Sequence, residues 1–144
     1  MDKMLPLFRS DIFVKENFLT TGECHTLINL IKSDSRESTT TNEESTASDY
    51  RTSRTCDLGK LKDKNRLVRI IDEKICRYIG INDIHGEVIQ GQWYKIGQEF
   101  KRHTDYFEYD ENNPKEWERY VGPHGNRTWT FMICLNDVEE GGET

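Results

Sequence analysis

Between residues 63 and 79, Leu67, Val68, Ile71, Ile75 and Ile79 recur at the spacing that lines one side of an α-helix, and Gly80 follows as a left-handed stop. A helix that is apolar on one side must cover that side, so the chain has to build a core against it. A second stripe makes the same demand. Thr20 and Glu23 stand at capping-box spacing, and Cys24, Leu27, Ile28 and Ile31 follow at i, i+3, i+4 and i+7, which predicts a helix over 21–33. Alternating residues at 11–19, 50–58, 87–94 and 127–135 predict strands. In the last of these, Thr128, Thr130, Met132 and Cys134 share one face and Trp129, Phe131, Ile133 and Leu135 the other. Helices and strands together make this an α+β chain.

The polar stretches divide these elements. Residues 33–48 are Ser, Thr and acids without period, which predicts a mobile loop. Residues 110–126 carry Pro, Gly and Asn and predict another loop, with Trp117 and Tyr120 as anchors. A length of 144 residues suits one domain, and 34% hydrophobic against 32% charged residues allows it only a modest core. A net charge of -6 argues against nucleic acid as a partner. No apolar run reaches the length of a secretory leader core or a membrane span, so a cytoplasmic protein without membrane contact is expected. Cys24, Cys56, Cys76 and Cys134 are widely spaced without a CxxC pair and read as free thiols used for packing.

Chemistry concentrates in residues 93–107, WYKIGQEFKRHTDYF. His103 and Asp105 are two apart, and on a strand such residues project from the same face. An imidazole and a carboxylate aimed together supply two of the three ligands of a facial triad, which leaves open positions on Fe(II). The other histidines are assigned elsewhere: His25 to the solvent side of the first helix, and His85 and His124 to turns.

YKIGQEFKRHTDYF, followed by GNRTWTFMICLNDVEEGGET, resembles the catalytic half of the prolyl 4-hydroxylase family of Fe(II)/2-oxoglutarate dioxygenases. The upstream order of strand, helix, loop, RTS-containing strand and second helix is similar too, so the resemblance covers most of the chain. It implies a double-stranded β-helix, or jelly roll, flanked by N-terminal helices. Residues 1–83 would form the helical support and 84–144 the first half of the jelly roll. By the same resemblance, His103 and Asp105 match the first two iron ligands, and Tyr94 matches a tyrosine lining the 2-oxoglutarate pocket. Thr144 matches a threonine that bonds the distal carboxylate, and Arg127 falls where peptide-modifying relatives place a substrate-facing arginine. The implied reaction hydroxylates a peptidyl C–H, with proline as the leading substrate, while 2-oxoglutarate is decarboxylated to succinate and L-ascorbate keeps the iron reduced.

Phe100 and Cys134 stand where many relatives carry tyrosines. The family's distal histidine and its basic 2-oxoglutarate anchor lie beyond the GGET block, where this sequence ends. The expectation is therefore a truncated domain with the C-terminal strands missing, which needs a second chain or a further copy to complete the barrel. The alternative is a non-catalytic remnant or peptide-binding module. A cupin-like protein holding another metal is a weaker third reading, because it does not account for YxxGQ and GGET together.

Overall fold

A computed structural model describes residues 11–39, 50–61, 65–122 and 125–143. Among them the architecture is α+β: three α-helices and one small antiparallel sheet, without a complete jelly roll. The helices are α1 (Thr21–Ser33), α2 (Arg66–Ile79) and α3 (Pro114–Tyr120). The sheet runs β1 (Arg36–Glu37), β2 (Arg54–Cys56) and β3 (Gly91–Trp93), with β2 central. Arg36 pairs with Thr55, and Arg54 and Cys56 pair with Trp93 and Gly91. None of the helices is long and apolar enough to cross a membrane.

Both long helices start where a side chain can take over the orphan N–H groups. At α1 the capping box forms in full: Thr20 Oγ1 accepts from Glu23 N at 3.3 Å, and Glu23 Oε2 accepts from Thr20 N at 2.7 Å. At α2, Asn65 Oδ1 accepts from Leu67 N and Val68 N, which places the first turn at Arg66. Gly80 ends α2 with φ +80, and both its N–H and that of Ile81 donate to Cys76 O.

The two stripes meet over one face of the sheet. Leu19, Leu27, Ile31, Cys56, Leu58, Val68 and Ile71 form the buried cluster, with Ile75, Ile89, Trp93, Ile133 and Leu135 packed against it. Gly91 is required by this packing, because a Cβ there would come within 2.3 Å of Ile31 Cγ1 and 3.1 Å of Leu58 Cδ1. On the adjoining side, Ser38, Ser53 and Thr55 are buried hydroxyls that bond one another at 2.9 and 2.7 Å. That mutual satisfaction lets polar side chains leave water.

Several sequence expectations are corrected. Residues 11–19 form no strand. Asn17 adopts φ +54, and Ile12, Phe13 and Val14 remain exposed, with only Leu19 reaching the core. The patternless stretch from Ser33 begins with the end of α1 and with β1, because the backbone of 36–37 finds a partner edge in β2; residues 40–48 lie outside the described residues. The loop expected over 110–126 contains α3, whose first turn is set by Pro114. Residues 127–135 keep their alternation without joining a strand: Phe131, Ile133 and Leu135 are half-buried and Met132 and Cys134 exposed, so Cys134 is not a packing thiol.

Asp57, just after β2, accepts from Lys60 Nζ at 2.7 Å and from Arg36 Nη2 at 3.2 Å. Its carboxyl is held below the ordinary value first by the Lys60 hydrogen bond, against opposing burial, and then by Arg36. A carboxyl depressed on folding adds stability above its unfolded value of ~3.9, and that stability is lost as pH falls through the folded value. Both cations are more than half exposed, so water screens the pair. Asp57→Asn is expected to cost under ~1 kcal/mol at neutral pH in urea unfolding, and the difference from the parent should shrink as pH falls through the acid range in which Asp57 is protonated. A difference that persisted unchanged into that range would show that the ion pair contributes no linked stability.

Candidate metal and peptide site

The segment carrying the candidate ligands is held by residues 50–52. Thr52 N donates to Glu99 O at 2.9 Å, Glu99 N to Thr52 Oγ1 at 2.8 Å, and Lys101 N to Tyr50 O at 3.0 Å. Arg51 and Phe100 form an isolated antiparallel bridge, and the Tyr50 hydroxyl donates to Arg102 O at 3.0 Å. Beyond this clamp the chain bends, so His103 and Asp105 lie on an irregular segment and not on the strand that the sequence suggests. The two side chains nevertheless converge, with His103 Nε2 3.6 Å from Asp105 Oδ1.

Other groups fix each member of the pair. The His103 ring stacks on Phe100 with centroids 3.6 Å apart, and its Nδ1 lies 2.7 Å from Lys101 O. A carbonyl can only accept, so Nδ1 is the donor and Nε2, beside the carboxylate, is the nitrogen whose lone pair a metal would take. Thr130 Oγ1 donates to Asp105 Oδ2, which leaves Oδ1 turned to the imidazole. Two lone pairs 3.6 Å apart suit a shared cation, since donors each ~2.1 Å from one metal can be no more than ~4.2 Å apart. The donor set, one imidazole nitrogen and one carboxylate oxygen, fits Fe(II). Among the described residues no group of three His, Cys, Asp or Glu side chains is close enough to hold a metal.

Arg127 flanks this pair. Its Nε and Nη2 donate to the two Glu87 oxygens at 2.6 and 2.9 Å, its Nη1 donates to Asp105 O at 3.1 Å, and its guanidinium lies 4.9 Å over the Phe107 ring. The Glu87 hydrogen bond raises the Arg127 pKa above its ordinary value, against opposing burial, with the Glu87 and Asp105 charges adding to it. Phe107 stacks in parallel on Tyr120 of α3 at 5.1 Å. Asn126 locks the corner by accepting from Phe107 N and Arg127 N, both at 2.9 Å, and donating to Phe107 O at 2.8 Å.

Of the residues singled out from sequence, His103, Asp105 and Arg127 are thus brought together. Tyr94 is 42% exposed and donates to Gln92 Oε1 at 2.8 Å; among the described residues no hydrogen bond or ring contact joins it to the pair. Thr144 lies outside the described residues. Sequence reading overlooked Glu87, read only as the first residue of a strand, and Thr130, read only as one face of another. It also overlooked Arg51, which lies 4.6 Å over the other stacking partner, Phe100, and bonds Ser53, Thr55 and Thr39 O. Burial lowers the Arg51 pKa, against the raising effect of Tyr94 and with Arg36 adding to the depression. The alternation of 127–135 contained a signal for Thr130, since it places that hydroxyl opposite the core-facing residues.

The chain is homologous to plant prolyl 4-hydroxylases. It is 40% identical over 134 residues to "Probable prolyl 4-hydroxylase 10" of Arabidopsis thaliana, which covers 91% of this chain and 43% of that protein. It is 39% identical over 135 residues to "Probable prolyl 4-hydroxylase 3" and 34% over 132 residues to "Prolyl 4-hydroxylase 5" of the same plant. The chain therefore spans less than half the length of these relatives. No family model matches the sequence, and no solved structure matches it.

Proposed function

We propose that this chain carries the iron-binding part of an Fe(II)/2-oxoglutarate-dependent oxygenase of prolyl 4-hydroxylase type, built on the first half of a jelly roll and acting on a peptidyl proline. The observation that carries this reading is the pair of lone pairs on His103 Nε2 and Asp105 Oδ1, facing each other at 3.6 Å with their outer atoms already engaged. Iron bound there would supply the centre at which oxygen decarboxylates 2-oxoglutarate to succinate and a C–H bond is hydroxylated, with L-ascorbate as reductant.

The chain's own residues hold and orient. His103 and Asp105 contribute two ligands. Phe100 covers one face of the imidazole and limits the ring's rotation. Arg127, steadied by Glu87 and by Phe107, presents a fixed cation beside the pair where a peptide carbonyl would dock. Tyr94 and Thr144 are assigned to the 2-oxoglutarate side. The third ligand and a basic group for the co-substrate would come from a completing segment or chain.

A peptide-binding module without turnover is the second reading, favoured because the described residues bring only two ligands together. Incubation with Fe(II), ascorbate, 2-oxoglutarate and a proline-rich peptide separates the two. Succinate and hydroxyproline support the oxygenase, peptide binding without succinate supports the module, and neither result removes both readings.

Thr130 offers a separate test of the geometry. Thr130→Val keeps the shape and deletes the hydroxyl that orients Asp105, and it is expected to weaken Fe(II) or Co(II) binding by roughly tenfold or more. An anaerobic titration that finds parental affinity would mean that Asp105 does not depend on this bond.

A further inference from the structure

Away from His103, the turn at 15–18 and the last turns of α2 enclose an open cavity of about 500 Å3, lined by Lys15, Asn17, Phe18, Lys74, Arg77 and Tyr78. Three of the six are cations and none is an acid. Lys74 is already held: its Nζ donates to Phe18 O and lies 4.8 Å over the Phe18 ring. Lys15 and Arg77 are exposed, and neither has an ion-pair partner among the described residues. Lys74 also interacts with Glu23, whose carboxyl is bound in the α1 capping box. In a chain of net charge -6, a cavity lined by three cations and no acid suits an anion.

The floor of the cavity is aromatic. Phe18 and Tyr78 meet edge to face at 5.5 Å, and Phe131 backs both at 5.0 and 6.1 Å, so the rings are fixed before anything binds. Tyr78 is still 53% exposed and leaves area for a flat ligand. Asn17, at φ +54, makes the tight turn that sets Lys15 and Phe18 on the same cavity.

We propose that this cavity binds a small organic anion composed of a flat aryl body and a phosphate-type head. Lys15 and Arg77, without an ion-pair partner among the described residues, match a doubly charged head better than a monocarboxylate, and the Phe18–Tyr78 pair takes the body. The site is independent of the iron-site reading and uses none of its residues.

Phenyl phosphate and inorganic phosphate, titrated separately into the 144-residue chain by calorimetry, provide the test. Phenyl phosphate is expected to bind about fivefold to tenfold more tightly than inorganic phosphate. Lys15→Ala and Arg77→Ala, both at exposed positions that the core does not use, should each weaken it about threefold to fivefold. Tyr78→Leu should remove the advantage of the ring. The proposal is overturned if phenyl phosphate binds no better than inorganic phosphate, if neither binds at millimolar concentration, or if binding survives the Lys15→Ala/Arg77→Ala double substitution.

Discussion

On the iron-site proposal, His103→Ala is expected to abolish metal binding by this chain, and with it any 2-oxoglutarate turnover. The reasoning is geometric. Among the described residues His103 Nε2 is one of two donor atoms that converge here, and the Phe100 stack and the Lys101 carbonyl fix the orientation of its ring. Its removal leaves a single carboxylate, so the loss should exceed the ~10–100-fold that deletion of an outer-shell partner typically costs. Co(II) absorption gives a readout that does not depend on activity. His25→Ala is the control, since His25 is exposed on α1. Unchanged Co(II) affinity in His103→Ala would remove this residue from the ligand set, and equal losses in both variants would place the metal elsewhere.

Ile31→Ala should produce a large stability loss. Ile31 is 4% exposed, lies in the cluster between α1 and the sheet, and fills the space above Gly91. Truncation of a buried Ile to Ala costs about 2–5 kcal/mol, a large share of the ~5–15 kcal/mol that usually holds a domain together. Urea unfolding followed by circular dichroism measures it. Gly91→Ala provides the converse experiment, because its Cβ would strike Ile31 and overpacking typically costs about 1–3 kcal/mol. Combined with Ile31→Ala, the added methyl enters vacated space, so the double variant should lose less than the sum of the single losses. Strict additivity would mean that the two side chains do not share that space.

The two long helices were legible in the sequence because their signals are local, whereas the short α3 lay in a stretch read as a loop. Thr20 with Glu23, the stripe from Leu67 to Ile79 and Gly80 each act within one or two turns, and each forms as its residue types dictate. The strands were less legible. A period of two marks a segment with an inside and an outside, yet it does not supply the partner whose N–H and C=O groups make a strand. Residues 127–135 half-bury Phe131, Ile133 and Leu135 as the alternation implies, leave Trp129 of the same face exposed, and pair with no edge among the described residues. Arg36–Glu37, with no pattern at all, becomes a strand because β2 offers an edge.

The candidate site divides in the same way. The HxD spacing alone marked His103 and Asp105, since two ligand types two residues apart are a property of the chain. Their facing lone pairs are decided by groups distant in sequence: Tyr50 and Thr52 clamp the segment, Thr130 turns Asp105, and Glu87 crosses forty positions to fix Arg127. Sequence determined which chemistry this protein has available and where its two long helices lie, because side-chain identity and helical hydrogen bonding are local. Only the tertiary structure decided which strands exist and how the donors point, because both depend on partners that chain folding alone brings within bonding distance.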